Sequence, residues 1–206
     1  MTTETTSNDF AIEVTQEGPG YNKPQRMGRR MWAPMWVMAI MAFSAAFILG
    51  VVRATALAEG QAEASIAALG HTTTGIMFIG FTSVFAAISF AIARILGEFR
   101  KGGGEVQQLV GSEVRTLKMP ATAKVFMVGM AMGMMILLIA SIIHLVVAGQ
   151  VASGATTIAQ AETAAINLEA VRRVGVAVYL VAITFGLATI TRVLRFQAIR
   201  IRELAS

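Results

Sequence analysis

A chain of 206 residues with 55% hydrophobic and 14% charged residues, and a mean hydropathy of +0.66, is too apolar for an ordinary water-soluble domain. It contains no cysteine, which excludes disulfides, thiolate metal sites, iron–sulfur clusters and cysteine nucleophiles together. The formal net charge of +5 would suit nucleic acid in a soluble protein, but here the basic residues flank apolar runs and describe membrane topology instead.

Residues 1–30 are polar and mixed in charge, with Gly18-Pro19-Gly20 and Pro24, and they end in Arg26, Arg29 and Arg30. Alone in water such a segment is expected to be a disordered cytoplasmic tail. A four-span transmembrane domain is expected over residues 31–206. Its first span, 31–52, carries Trp32 and Trp36 near the interface and Pro34 in the expected first turn, where a missing N–H costs little. Ala56-Leu57-Ala58 imitates a signal-peptide cleavage site, but an apolar run of twenty-two residues exceeds the usual signal core, so the span is read as retained.

An alanine-rich outer helical segment, 54–70, with Glu59 and Glu63, leads to the second span, 73–93, which ends in Arg94, Arg100 and Lys101. The run Gly102-Gly103-Gly104 lacks the following Lys-Ser/Thr of a phosphate loop and reads as a flexible linker. A short amphipathic stretch follows (Val106, Leu109, Val110, Val114, Leu117), and Pro120 punctuates the approach to the third span. That span, 125–149, has twenty-five residues without a permanent charge; at about 1.5 Å of rise per residue it outreaches a hydrocarbon core of about 30 Å. In the second outer segment, 155–172, Ile158, Ala161, Ala165 and Leu168 recur at helical spacing, and Glu169 can pair with Arg173 one turn on. The fourth span, 174–191, runs into a basic tail with Arg192, Arg195, Arg200 and Arg202.

Fourteen of the seventeen Lys and Arg residues fall in the N-terminal tail, the 94–124 loop and the C-terminal tail; only Arg53, Arg172 and Arg173 fall in the other two loops. The bias predicts that both termini are cytoplasmic. The expected fold is therefore all-α: an antiparallel four-helix transmembrane bundle of two hairpins. Residues 87–93, AISFAIA, echo residues 182–188, AITFGLA, as a duplicated hairpin would, although alanine-rich helices also resemble one another by chance.

Candidate chemistry is sparse. His71 stands at the outer mouth of the second span and His144 near the outer end of the third, so the two form a candidate cofactor-binding pair for haem b or a quinone. The bland alternative makes His71 an interfacial residue and leaves His144 bonded to a Ser or Thr. Met31, Met35 and Met38 stripe the first span and Met127, Met130 and Met134 the third; thioethers suit Cu(I), but methionine also fills irregular packing. Small residues recur every fourth position: Ala42, Ala46 and Gly50; Ser83, Ala87 and Ala91; Gly129 and Gly133; Ala182 and Gly186. Such stripes allow close helix approach, either within the chain or against another subunit. No Asp, Glu, Lys or Arg lies within the four spans, and no nucleophile, base and orienting acid can be assembled, so the chain is not expected to be an enzyme by itself.

The expectation is a non-catalytic integral membrane subunit that packs within and stabilises a larger complex, a respiratory or other redox assembly of a bacterial cytoplasmic membrane. Its partners would be other membrane subunits and anionic lipid headgroups at the cytoplasmic face. Two alternatives stand beside it. One is an electron-transfer subunit holding haem b or a quinone at His71 and His144. The other is a small homo-oligomeric channel or Cu(I) transporter.

Overall fold

The computed structural model describes residues 14–15 and 20–205; the expectation for the polar tail over residues 1–13 and 16–19 lies outside the described residues. The elements in order are β1 (Val14–Thr15), α1 (Lys23–Ala58), α2 (Glu63–Leu109), β2 (Thr116–Leu117), α3 (Ala121–Ala152) and α4 (Ile158–Ala205). All four helices are long and apolar enough to cross a membrane. The two short strands pair antiparallel, with Val14 opposite Leu117 and Thr15 opposite Thr116.

Local chemistry moves the helix ends away from the apolar boundaries. Helix α1 starts at Lys23, because Asn22 and Gln25 form a reciprocal cap: the Gln25 N–H donates to Asn22 Oδ1 and the Asn22 N–H to Gln25 Oε1, each at 3.0 Å. Arg26, Arg29 and Arg30 therefore lie on a helix, and Pro34 lies inside α1 rather than in its first turn. It is exposed there, on a flank where an interrupted backbone ladder disturbs no packed neighbour.

At 47 residues, α2 is about 70 Å long. It runs straight through Gly102-Gly103-Gly104, contrary to the linker expected there. The reason is tertiary: Gln197 and Arg200 of α4 lie against Gly103 and donate to Phe99 and Gln107 on either side of the run. The outer segments are not separate helices either. Residues 54–70 are the end of α1 and the start of α2, divided by a turn in which Gly60 takes φ +68°, and residues 155–172 are mostly the first turns of α4, after a turn in which Gly154 takes φ +73°.

Helix α2 is the hub. Helix α1 packs along it, α3 and α4 pack along each other, and α2 packs against both; α1 makes no comparable contact with α3 or α4. The four helices thus do not close into a square. Instead α2, α3 and α4 share a core built on Ile92, Phe126, Met130, Leu137, Tyr179 and Ala182, and α1 lies along one side of α2.

Small residues set the helix spacing. A β-carbon on Gly129 would stand 2.8 Å from that of Ala182, one on Gly133 2.9 Å from the Tyr179 ring, and one on Gly186 2.9 Å from Phe126. On α1, Ala39, Ala42 and Ala46 are buried, and on α2 so are Ser83 and Ala87; Ala91 is half-buried, and Gly50 faces open space.

At the end carrying the α2–α3 connection, buried Arg200 donates to Gln107 Oε1 at 2.7 Å, to the Arg115 carbonyl and to Gln197. The Gln197 amide in turn donates to the Phe99 carbonyl at 2.9 Å. Polar contacts therefore tie α2 to α4 beyond their apolar lengths. The packing carries one direct test: Gly133→Leu must overpack the Tyr179 contact and should destabilise the protein by roughly 1–3 kcal/mol. Gly50→Leu, with nothing within 4 Å, should be nearly neutral. Thermal unfolding of both variants in the same detergent checks the difference.

Candidate functional site

Near the end where the α1–α2 and α3–α4 turns lie, His71 of α2 and His144 of α3 meet with their Nδ1 atoms 2.9 Å apart. The rings are tilted at 44° with centroids 5.0 Å apart, and the residues are only 7% and 4% exposed. A hydrogen bond at this distance needs one donor and one acceptor, so one ring carries its proton on Nδ1 and the other presents a bare lone pair. The structure thus brings together the two residues singled out in the sequence as a candidate pair.

The meeting point follows from the turn below it. Gly75 lies four residues after His71, and Ser141 three before His144, so each shares a helix face with its histidine. A β-carbon on Gly75 would lie 3.1 Å from Leu145 and 3.2 Å from the Ser141 carbonyl, so the missing side chain lets α2 and α3 approach. The Ser141 hydroxyl then donates to the Gly75 carbonyl across the two helices at 2.7 Å. Phe78 packs edge-on to His144 with centroids 5.4 Å apart, and the Arg172 guanidinium lies 5.2 Å from the Phe78 ring centroid.

Arg172 and Arg173 both contact the Glu169 carboxylate, Arg173 Nε at 3.1 Å. Partial burial works to raise the Glu169 carboxyl, but the hydrogen bonds and charges of Arg173 and Arg172 outweigh it and hold the group below its ordinary value.

Beside the pair lies a cleft of about 490 Å³. Arg53 and Leu57 of α1, residues 63–74 of α2 and the first turns of α4 line it, and both histidines reach it. The lining mixes apolar side chains with Arg53, Glu63 and Glu162.

The pair as built does not fit a haem held between its two Nδ1 atoms. Metal–imidazole bonds of about 2.0–2.1 Å would set two trans nitrogens about 4 Å apart, so the touching Nδ1 atoms cannot hold one iron between them. Among the described residues no group of three or more His, Asp or Glu is placed to hold a metal ion. The methionine stripes are not brought together. Met127, Met130 and Met134 belong to the α2–α3–α4 core, while Met31 and Met35 are half-buried and Met38 exposed on α1, a helix that does not pack along α3. The two stripes therefore form no shared path within the chain.

Sequence reasoning did not single out Gly75 or Ser141, although their spacing from the histidines was the available signal. It also passed over Tyr179, 1% exposed and stacked on Phe85 at 4.4 Å and 18°. Among the described residues its hydroxyl has no hydrogen-bond partner. Comparison with models of known protein families, with characterised proteins and with solved structures finds no match.

Removing one imidazole should expose the dependence. His71→Leu leaves His144 without its partner and should cost about 1–3 kcal/mol. The double variant with His144→Leu should cost less than the sum of the two single changes, because neither polar group is then left alone. Unfolding of the four proteins in one detergent measures this cycle.

Proposed function

We propose that this chain is an integral membrane protein with both termini in the cytoplasm, and that it serves as a non-catalytic subunit packed within a larger assembly of a bacterial cytoplasmic membrane. The redox character of that assembly belongs to the same proposal. Four long apolar helices support the membrane reading, and the bias of Lys and Arg supports the orientation.

The observation that carries the subunit reading is the one-sided packing of α1. Of its most apolar stretch 17% is buried, against 39% in α2 and in α3, and its open side carries Ile40, Phe47 and Ile48. Lipid can cover such a side, and so can a helix of another subunit. What distinguishes α1 from the other helices is that, among the described residues, it packs along one helix only.

Two experiments test the proposal. The chain has no cysteine, so single substitutions report sidedness without background. A membrane-impermeant maleimide should label Ser153→Cys in intact spheroplasts and Ser112→Cys only after permeabilisation; the reverse pattern contradicts the orientation. Extraction of the native chain in mild detergent should bring a stoichiometric set of other membrane proteins, identified by mass spectrometry. Migration of the chain alone contradicts the subunit reading.

A further inference from the structure

One side of the seam between α1 and α2 carries a cation without a carboxylate. A β-carbon on Gly28 would stand 2.7 Å from the Phe90 carbonyl and 2.9 Å from the Arg94 backbone nitrogen, so the two helices run close there. One turn further along α1, the Arg94 guanidinium lies over the Trp32 ring at 5.1 Å. The ring attracts the charge but does not take up the planar fork of N–H donors. Neighbouring cations have acidic partners: Arg29 Nε stands 3.6 Å from Glu98, which also accepts from the Tyr21 hydroxyl at 2.8 Å, and Lys101 stands 3.4 Å from Glu105. Among the described residues the half-buried Arg94 side chain has neither a hydrogen bond nor an ion pair. It leaves this side of the seam with a surplus of one positive charge.

The surplus sits at a defined depth. Arg94 directly follows the apolar run 73–93 of α2, and Trp32 stands at the start of that of α1, so both belong at the boundary between hydrocarbon and headgroups. Beyond Trp32, the residues Trp36, Phe43 and Phe47 stay within about 60° of it around α1 at 3.6 residues per turn. Phe43 meets Phe81 of α2 edge-on, with centroids 5.2 Å apart, and Trp36, Phe47 and Phe81 are exposed. From Trp32 to Phe43 the helix rises about 16 Å, the hydrocarbon depth of one leaflet. The strip therefore offers a phosphate-sized fork at one end and rings for an acyl chain along the rest. A soluble phosphate would use the fork and leave the rings uncovered. A zwitterionic headgroup would bring an ammonium group into a region already positive, whereas an anionic one neutralises it.

We infer that this side of the α1–α2 seam binds an anionic glycerophospholipid, with its phosphate on the Arg94 guanidinium and an acyl chain along Trp36, Phe43 and Phe81. The inference rests on the membrane reading given above and names a lipid partner and its site. It does not depend on the chain having partner subunits.

The test uses the full chain carrying Trp36→Phe, which leaves Trp32 as the only one of the two tryptophans. A chain that fails to float with vesicles refutes the membrane reading and the site with it; a chain that floats without lipid preference refutes the site alone. The probes are phosphatidylglycerol and phosphatidylcholine brominated on their acyl chains, each diluted in the other lipid unbrominated. Brominated phosphatidylglycerol should quench Trp32 fluorescence about fivefold more effectively than brominated phosphatidylcholine. Arg94→Gln, folded by size exclusion and helicity, should make the two lipids equal, and Arg94→Lys, which keeps the charge but not the fork, should retain part of the preference. Arg202→Gln, which removes one basic charge at the end of α4, should leave the preference unchanged. Equal quenching by the two lipids in the parent chain overturns the inference. So does an equal loss in Arg202→Gln, which would mean diffuse surface attraction, or abolition of the preference by soluble glycerol phosphate.

Discussion

The close approach of α2 and α3 at Gly75 is the constraint on which the site depends. Two helices carrying full side chains at that level would stand too far apart for the Ser141 hydroxyl to reach the Gly75 carbonyl, and one turn further on the imidazoles could not touch. Once the backbones are close, polar groups removed from water must satisfy one another, because a buried unpaired donor or acceptor costs more than a made bond returns. His71 and His144 do so across the helix pair, at the level where the core gives way to the cleft. The same geometry that holds the pair together also excludes an iron between its two Nδ1 atoms.

The core continues this logic with van der Waals contact. Gly133 accepts the face of Tyr179, Gly129 the side chain of Ala182, and Gly186 the ring of Phe126, so α3 and α4 lock through complementary small and large residues. In an apolar solvent such contacts, rather than exclusion of water, favour helix association. Helix α1 stands apart from this lock and is held to α2 by its own alanines. At its capped end the Tyr21 hydroxyl donates to Glu98 at 2.8 Å, and Arg94 lies over the Trp32 ring at 5.1 Å. The two hairpins share a short-then-long pattern, 36 and 47 residues in one and 32 and 48 in the other, and each turns on a left-handed glycine. Their docking is nevertheless unsymmetrical, since the contact of α2 with α3 has no counterpart between α4 and α1.

Much of this architecture was legible in the sequence, because hydropathy over twenty residues reports a long apolar helix regardless of its neighbours. The helix ends were not legible from hydropathy. Asn22 and Gln25 extend α1 by a cap, and the glycine run at 102–104 is held by bonds from Gln197 and Arg200 of α4 to Phe99 and Gln107, residues more than ninety positions apart in the chain. The histidines stood out as ionisable groups in or beside apolar spans, and similar depth suggested that they could meet. Their separation, and with it the choice between a metal-ligand pair and a hydrogen-bonded one, depends on Gly75 and Ser141. The neighbours of the small-residue stripes were likewise undetermined until the packing placed Tyr179, Ala182 and Phe126 against them.

His71 and His144 share one proton between their Nδ1 atoms, 2.9 Å apart. The most direct measurement is the nitrogen–nitrogen scalar coupling across that hydrogen bond, in protein labelled with ¹⁵N at histidine and held in nanodiscs. A resolved coupling between one protonated and one bare Nδ1 is expected. Two imidazoles with no mutual coupling, each exchanging its protons freely with water, would contradict it.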